Sequence, residues 1–342
     1  MAGTENSSMA LTFEDEPTDD PLMTREWLVV ARSEDLKDGD VMPAKLLGTD
    51  IVLWRSGDKV MAWRDLCIHR GSRLSLGKVK DGRILCPYHA WEYDCTGACT
   101  HIPAMPNVKP PPKAKAQVFR AKEAYGFIWA CLGEPRVDVP PFPEWEMNSF
   151  RKQIVGPYVF NASPFRTIEN FTDIPHFPFV HPMVNGDPDK PDVIPDYEVY
   201  SDDVDGISMS PVEVWQPFAD HRGVPAMAEY RYSIFRPLTA YFKKATGEGN
   251  MFCMMLSATP VAENETLVWL LVAINFGDQV TEQQIIDRQN TVFAQDKWIV
   301  ESQRPVGIPL DLQDELHVRV DKFSVAYRRW LKDLGLGWGV AH

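Results

Sequence analysis

The first third of the chain alternates apolar and polar residues in short runs, and turn-forming residues separate one run from the next. Runs with a period of two predict half-buried strands, and this spacing is typical of small antiparallel sheets. The runs lie at 27–31, 41–47, 51–54, 60–64 and 127–132. Proline-rich stretches occur at 106–113, predicted to be an extended surface connection, and at 135–143, predicted to separate two modules.

The second half of the chain contains strand-like patterns first and helical patterns last. Apolar runs at 251–258 and 266–276 predict strands, whereas apolar positions in 281–303 and 322–334 recur at helical spacing. We therefore expect an α+β protein. A length of 342 residues suits two modules, and we divide the chain into a flexible acidic leader at 1–22, a first domain at 23–145 and a second domain at 146–342.

Composition excludes several classes of protein. The formal net charge of −13 at pH 7 argues against binding to nucleic acid or to anionic membranes, because both need a basic surface. The longest apolar run, 267–274, is far too short to span a bilayer. The leader is acidic where a targeting peptide would be basic and apolar, and the 6 cysteines have no secretory context. We expect a cytoplasmic protein with reduced thiols.

Two short segments each combine one cysteine with one histidine. One residue separates Cys67 from His69, and two residues separate Cys86 from His89. A Rieske-type [2Fe–2S] cluster uses this set, with two cysteines on one iron and two histidines on the other. A zinc site is the alternative, but zinc sites usually pair like residues along the chain, with wider spacing. The pattern therefore favours the iron–sulfur cluster.

A second group of candidate ligands lies at 169–181. Two histidines, His176 and His181, are five residues apart among aromatic neighbours. A lone histidine in these surroundings would be an ordinary core residue. Two neutral imidazoles in an apolar environment both need partners, and a shared metal ion is one such partner.

A carboxylate would complete this second site, because two histidines and one carboxylate leave open positions on Fe(II) for oxygen chemistry. The helix predicted at 281–303 offers Asp296, which falls on its apolar stripe, whereas Asp287 lies half a turn off that stripe. A buried salt bridge from Asp296 to an arginine is the alternative interpretation. We predict that His176, His181 and Asp296 bind a mononuclear iron.

These motifs resemble those of the Rieske non-haem iron oxygenases. The segments 67–71 and 86–91 are similar to the family's cluster-binding loops, although Ala90 stands where the family most often has glycine. The pattern Asn170-x-x-Asp173-x-x-His176 and the segment 293–303 resemble the family's iron-binding segments. The likeness covers most of the chain.

Within this family, two groups show the strongest local resemblance. The segments 162–166, 176–181 and 325–331 look closest to the saxitoxin-tailoring hydroxylases. The segments 170–176 and 296–303 also resemble bacterial methylxanthine N-demethylases. Both groups consist of alpha-only members, without a small second subunit.

The resemblance implies a fold, cofactors and partners. It implies an N-terminal Rieske domain of small antiparallel sheets, a C-terminal catalytic domain whose antiparallel sheet is flanked by helices in a helix-grip arrangement, and a homotrimer. It implies one [2Fe–2S] cluster and one Fe(II) per chain, and O2 as co-substrate. Electrons would come from NAD(P)H through a separate ferredoxin-type or flavin and iron–sulfur reductase. Asp173 would bridge electron transfer between His89 of a neighbouring chain and His176, and Asn170 would line the iron site.

The implied function is that of a terminal oxygenase component, which hydroxylates a small aromatic or heterocyclic substrate or removes its N- or O-methyl group. A Rieske dioxygenase performing cis-dihydroxylation and a Rieske electron carrier are the alternatives, and the carrier would need only the first site. No clustered charge in the sequence indicates a carboxylate or sulfonate substrate. Trp215, Tyr230, Met254 and Trp269 are candidates for a pocket lining, which core packing explains equally well.

Overall fold

The computed structural model describes residues 17–202, 206–220 and 222–341. Residues 1–16 of the predicted acidic leader lie outside the described residues. In the described part of the leader, Asp20 Oδ2 accepts hydrogen bonds from the backbone N–H groups of Gly337 at 2.9 Å and Trp338 at 3.0 Å. These bonds fasten residues near the start of the described chain to residues near its end.

The first part of the described chain forms two antiparallel sheets. Six strands pair in the order β1-β10-β9-β4-β3-β2, and four very short strands pair in the order β5-β6-β7-β8. The strands are β1 (Leu28–Arg32), β2 (Val41–Leu46), β3 (Thr49–Ser56), β4 (Lys59–Arg64), β5 (Lys78–Lys80), β6 (Arg83–Leu85), β7 (Glu92–Tyr93), β8 (Cys99–His101), β9 (Val118–Ala124) and β10 (Phe127–Cys131). The small sheet is important here because one of the two cysteine–histidine loops joins its strands.

The second part is dominated by one large antiparallel sheet. Seven strands pair in the order β11-β18-β17-β16-β15-β13-β12, and β14 pairs with β15 beside them. The strands are β11 (Arg151–Phe160), β12 (Val199–Asp202), β13 (Gly206–Met209), β14 (Val212–Gln216), β15 (Ala226–Arg236), β16 (Thr239–Ala245), β17 (Met251–Ala262) and β18 (Glu265–Ile274). The predicted α+β class with antiparallel sheets is confirmed.

Helices lie on both faces of this sheet. One face carries α2 (Pro164–Thr172), α3 (Phe177–Val180), α4 (Glu282–Ser302) and α5 (Lys322–Asp333). The short helix α1 (Pro143–Glu146) lies on the other face, where Glu144 accepts a hydrogen bond from Tyr241. The helix α4 begins at a capping box, in which Thr281 and Gln284 satisfy each other's backbone N–H groups. None of the helices in the described ranges is both long enough and apolar enough to cross a membrane.

The central strands of the large sheet are buried on both faces. On one face, Met255 and Trp269 pack in a cluster with Val29 and Trp129 from the first sheet. The same contact includes a hydrogen bond of 2.7 Å from Thr259 Oγ1 to the Val29 carbonyl. The helices α2, α3, α4 and α5 lie on the opposite face, and the second candidate site forms there.

A buried network of ion pairs fixes α2 against α5. The Arg328 guanidinium forms two hydrogen bonds to the Glu169 carboxylate, at 2.7 and 2.8 Å. Arg166 pairs with Glu315 at 2.7 Å, and Glu315 also accepts from Arg328 at 2.7 Å. Because each charge has an opposite partner, the network holds α2 in one position, and α2 leads directly into the histidine segment.

Candidate metal centres

The two cysteine–histidine loops adopt the same local conformation. In the loop that follows β4, the Gly71 N–H donates to the Cys67 carbonyl at 2.9 Å. In the loop that follows β6, the Ala90 N–H donates to the Cys86 carbonyl at 3.0 Å. Each loop is thus a tight turn that closes on its own cysteine and holds one thiol and one imidazole a few residues apart.

Both turns end on a residue in the left-handed region of backbone conformation. Gly71 has a φ of 71°, and Ala90 has a φ of 54°. Glycine adopts this conformation without steric cost, whereas a Cβ atom makes it unfavourable by about 1 kcal/mol. The structure therefore explains why the family most often has glycine at the position of Ala90.

The four donors of these loops lie together, with sulfur on the inside and imidazole on the outside. The thiols of Cys67 and Cys86 are buried, while the His69 and His89 rings lie nearer the surface with their centroids 4.7 Å apart. Trp91 stacks on His69 at 4.4 Å. Buried thiolates need compensating charge, and two irons held between them and the outer imidazoles would provide it.

A tyrosine approaches the inner sulfur. The Cys67 Sγ lies 3.1 Å from the Tyr93 hydroxyl oxygen. Burial raises the pKa of the Cys67 thiol, while the Tyr93 hydroxyl lowers it, and burial raises the pKa of Tyr93 far above its usual value. Tyr93 therefore keeps its proton, and it would donate a hydrogen bond to the Cys67 sulfur when that sulfur is a deprotonated ligand. Sequence reasoning did not identify Tyr93.

The second group of donors surrounds the short helix α3. His176 and His181 flank this helix, and α4 brings Asp296 against them. The two imidazole Nε2 atoms are 3.2 Å apart. Asp296 Oδ1 lies 3.1 Å from His181 Nε2 and 3.6 Å from His176 Nε2.

The other ring nitrogen of each histidine is held by an acceptor, and this fixes the tautomer. His176 Nδ1 lies 2.8 Å from Asp173 Oδ2, and His181 Nδ1 lies 2.9 Å from Gln295 Oε1. A carboxylate oxygen and an amide oxygen accept hydrogen bonds, so both Nδ1 atoms carry the proton. Both Nε2 atoms consequently present lone pairs, and they point toward each other and toward the Asp296 carboxylate.

Three electron-pair donors that converge in this way repel one another unless a cation lies between them. Asp296 is buried, and its Oδ1 has no hydrogen-bond partner within the described chain. The ligand atoms of His176, His181 and Asp296 all lie within 4.8 Å of one another, so the donor set fits a divalent metal. Asp287, by contrast, is exposed and accepts a hydrogen bond from Gln283. The predicted burial of the Asp296 stripe is confirmed.

A small cavity opens beside these three residues. Its floor is a cross-strand grid on β15, β16 and β17, in which one row contains Tyr230, Lys244 and Phe252 and the next contains Tyr232, Phe242 and Met254. Asn170 also lines the cavity.

The predicted candidates for a pocket lining divide into two pairs. Tyr230 and Met254 line the cavity. Trp269 is buried on the opposite face of the sheet, and Trp215 lies outside the cavity and is 37% exposed. The alternation of side chains along each strand separates the pairs, because residues on one face of a sheet cannot reach a cavity on the other. Sequence reasoning missed the polar wall of the cavity, which contains Lys244 and Arg288.

Known proteins resemble both parts of the chain. Residues 26–112 match the Rieske [2Fe–2S] domain, and residues 160–336 match the vanillate O-demethylase oxygenase C-terminal domain. Methylxanthine N1-demethylase NdmA of Pseudomonas putida is 33% identical over 298 residues, which cover 86% of this chain and 82% of that protein. The solved structure of NdmA with caffeine has a TM-score of 0.80 at 30% identity and covers 92% of this chain and 91% of its own.

A further similarity concerns a protein of a different kind. Oxidoreductase NdmD of Pseudomonas putida is 40% identical over 116 residues, which are 33% of this chain and 20% of that protein.

Proposed function

Since this chain belongs to the Rieske non-haem iron oxygenases, we propose that it acts as the terminal oxygenase of a multicomponent monooxygenase, which hydroxylates a small aromatic or heterocyclic molecule or removes its N- or O-methyl group. The observation that carries this proposal is the convergence of His176, His181 and Asp296 at the wall of a cavity. The names of the relatives favour demethylation, because NdmA is a methylxanthine N1-demethylase and the matching C-terminal domain is named for a vanillate O-demethylase.

The proposed ligands divide into two sets. Cys67, His69, Cys86 and His89 would hold the [2Fe–2S] cluster, and His176, His181 and Asp296 would hold Fe(II). When bound, the cluster supplies single electrons and the mononuclear iron supplies oxygen activation. The match of residues 26–112 to the Rieske domain supports iron–sulfur rather than zinc at the first set.

The protein's own groups prepare the second set for this chemistry. Asp173 and Gln295 hold protons on Nδ1, so that both Nε2 atoms stay free for a ligand. The aromatic floor of the cavity orients a flat substrate and limits the access of water. If the hydroxylated carbon is a methyl group on nitrogen or oxygen, the product collapses and releases formaldehyde.

Electron delivery involves partners that we also propose. A separate reductase, fed by NAD(P)H, would reduce the cluster, and the similarity to oxidoreductase NdmD supports a partner of this kind. We propose a homotrimer in which Asp173 accepts a hydrogen bond from His89 of a neighbouring chain while it holds His176 of its own. The unpaired thiols of the described residues suit a reducing cytoplasm. The proposed domains span residues 23–145 and 146–342.

Metal analysis and a substrate panel test the proposal. The wild-type protein should contain about three irons per chain, and Asp296→Ala should retain the cluster spectrum with about two. Methylxanthines and methoxylated aromatic compounds, supplied with O2 and a surrogate reductase, should give formaldehyde. Asp287→Ala is the matched control and should keep all three irons. Stoichiometric zinc after reconstitution with iron and sulfide, or a full iron content in Asp296→Ala, would contradict the assignment.

A further inference from the structure

A buried lysine, Lys244, faces the cavity. Lys244, on β16, is only 1% exposed, yet among the described residues no hydrogen bond or ion pair reaches its ammonium group. Its Nζ lies 5.2 Å from the centroid of the Tyr230 ring and 5.9 Å from that of Phe252. Cation–π attraction to two rings offsets only part of the free energy of removing an ammonium group from water.

The charged groups around Lys244 do not neutralise it. Asp220 is the carboxylate that favours its charged form, but Asp220 already pairs with Arg222 at 2.6 Å and accepts from Thr246 at 2.9 Å. Arg288, on α4, is a second cation in the same cavity wall. Burial lowers the pKa of Lys244 well below its ordinary value, and the charge of Arg288 lowers that pKa further.

Arg288 is held in place by two neutral acceptors. Its Nη2 atom donates to the Phe218 carbonyl at 2.7 Å and to Asn185 Oδ1 at 3.2 Å. Both acceptors are neutral, so they orient the guanidinium without cancelling its charge. Arginine stays protonated in proteins, and its remaining N–H groups suit a planar anion such as a carboxylate.

We propose that the cavity binds an aromatic or heteroaromatic substrate that carries a carboxylate, with the anion at Lys244 and Arg288 and the ring over the aromatic floor. This inference rests on the proposed function and names the substrate class for the same site. The sequence contained no sign of it, because Lys244 and Arg288 belong to different elements and only the fold brings them to one cavity. A bound carboxylate would supply the missing counter-charge.

A matched pair of ligands tests the proposal. Para-methoxybenzoate and para-methoxybenzamide share a ring and a methyl group and differ in charge. Calorimetric titration of the metal-loaded wild-type protein should show at least about tenfold tighter binding of the benzoate. Lys244→Met should weaken benzoate binding by about 10- to 100-fold and leave benzamide binding unchanged.

Two further variants control for folding and for total charge. Arg231→Met removes a cation from the exposed side of the neighbouring strand β15, where the Arg231 side chain is 57% exposed, and should leave benzoate affinity unchanged. Lys244→Gln removes the charge but keeps a polar side chain, and it should lose the same preference for benzoate. Each variant is compared with the wild type by its thermal unfolding curve.

Several outcomes would overturn the proposal: no benzoate binding by the wild type, equal affinity for the two ligands, or unchanged benzoate affinity in both Lys244 variants. Formaldehyde assays on the same samples separate this inference from the proposed function. If both ligands are demethylated without a charge preference, the carboxylate-substrate proposal is rejected and the proposed oxygenase function stands. If binding depends on the ligand's charge and on Lys244 but neither formaldehyde nor any oxygenated product forms, the carboxylate-binding proposal stands and the oxygenase function is rejected.

Discussion

Replacing Gln295 with leucine removes the acceptor that fixes the tautomer of His181. The bond from His181 Nδ1 to Gln295 Oε1 is 2.9 Å long, and the His181 ring is buried. In Gln295→Leu the Nδ1 proton loses its partner, which costs about 1–3 kcal/mol when the donor stays buried. The ring can avoid this cost by moving its proton to Nε2, where the proton blocks the lone pair that faces Asp296.

Iron affinity measures this effect directly. Groups that hold a metal-binding histidine typically contribute 10- to 100-fold to metal affinity, or about 1.4–2.7 kcal/mol, and we expect a loss of this size in Gln295→Leu. The assay is competition for Fe(II) against a chelator of known affinity under anaerobic conditions. The visible spectrum of the cluster reports in the same sample whether the first domain is intact and should not change.

Two controls make the interpretation specific. Gln295→Glu keeps an oxygen acceptor and should retain at least the wild-type iron affinity. Gln283→Leu makes the same chemical change at an exposed position near the start of α4 and should have no effect. Unchanged iron affinity in Gln295→Leu would refute the tautomer argument. An equal loss in Gln283→Leu would show that the change acts through the helix rather than through His181.

Four further predictions concern electron transfer and the cluster loops. Asp173→Asn should leave both metal sites loaded but slow product formation in single turnover. Mixed trimers of Cys86→Ser with His176→Ala should regain activity that neither variant has alone. Inactive mixed trimers would exclude electron transfer between chains. Ala90→Gly should raise the free energy of unfolding by about 1 kcal/mol, because Ala90 has a φ of 54°, which glycine adopts without strain. Denaturant titration measures this change. An unchanged free energy of unfolding would show that the strain is relieved elsewhere. Tyr93→Phe should lower the cluster's reduction potential by about 40 mV in a redox titration, because the Cys67 sulfur loses the hydrogen bond from the Tyr93 hydroxyl. An unchanged potential would mean that this hydrogen bond does not form.

The sequence predicted the long helix of the second domain within one residue at each end. The expected range was 281–303, and α4 spans Glu282–Ser302. The prediction rested on the helical spacing of the apolar stripe, and the structure shows in addition that Thr281 and Gln284 form a capping box at the start of α4. The same stripe correctly predicted that Asp296 is buried and Asp287 is not.

The short helices around the histidines were not predicted. Pro175 and Pro178 interrupt the pattern, and α3 contains only four residues, Phe177–Val180, too few for a period to be visible. The contact of Gln295 with His181 was also not predicted from the sequence. Gln295 is adjacent to Asp296 in the sequence, but its contact with His181 depends on how two separate segments pack together.

The position of Lys244 in the cavity could not be predicted from the sequence. Lys243 and Lys244 are neighbours in β16, and two consecutive lysines suggest a solvated strand. Alternation along the strand sends them to opposite faces, so that Lys243 pairs with Glu144 at 3.0 Å while Lys244 faces the cavity. The register that pairs Lys244 with Tyr230 and Phe252 exists only after β15, β16 and β17 have assembled.

The helix α4 carries both a residue that we propose contacts the substrate and a residue that we propose binds the iron. Arg288 lies in the cavity wall in its first half, and Gln295 and Asp296 reach the histidines in its second half. About two turns of helix separate these positions, at 3.6 residues per turn. A gene segment encoding residues 282–292 could therefore be exchanged as a cassette to alter the range of substrates, while the proposed iron ligand Asp296 and its neighbour Gln295 stay unchanged.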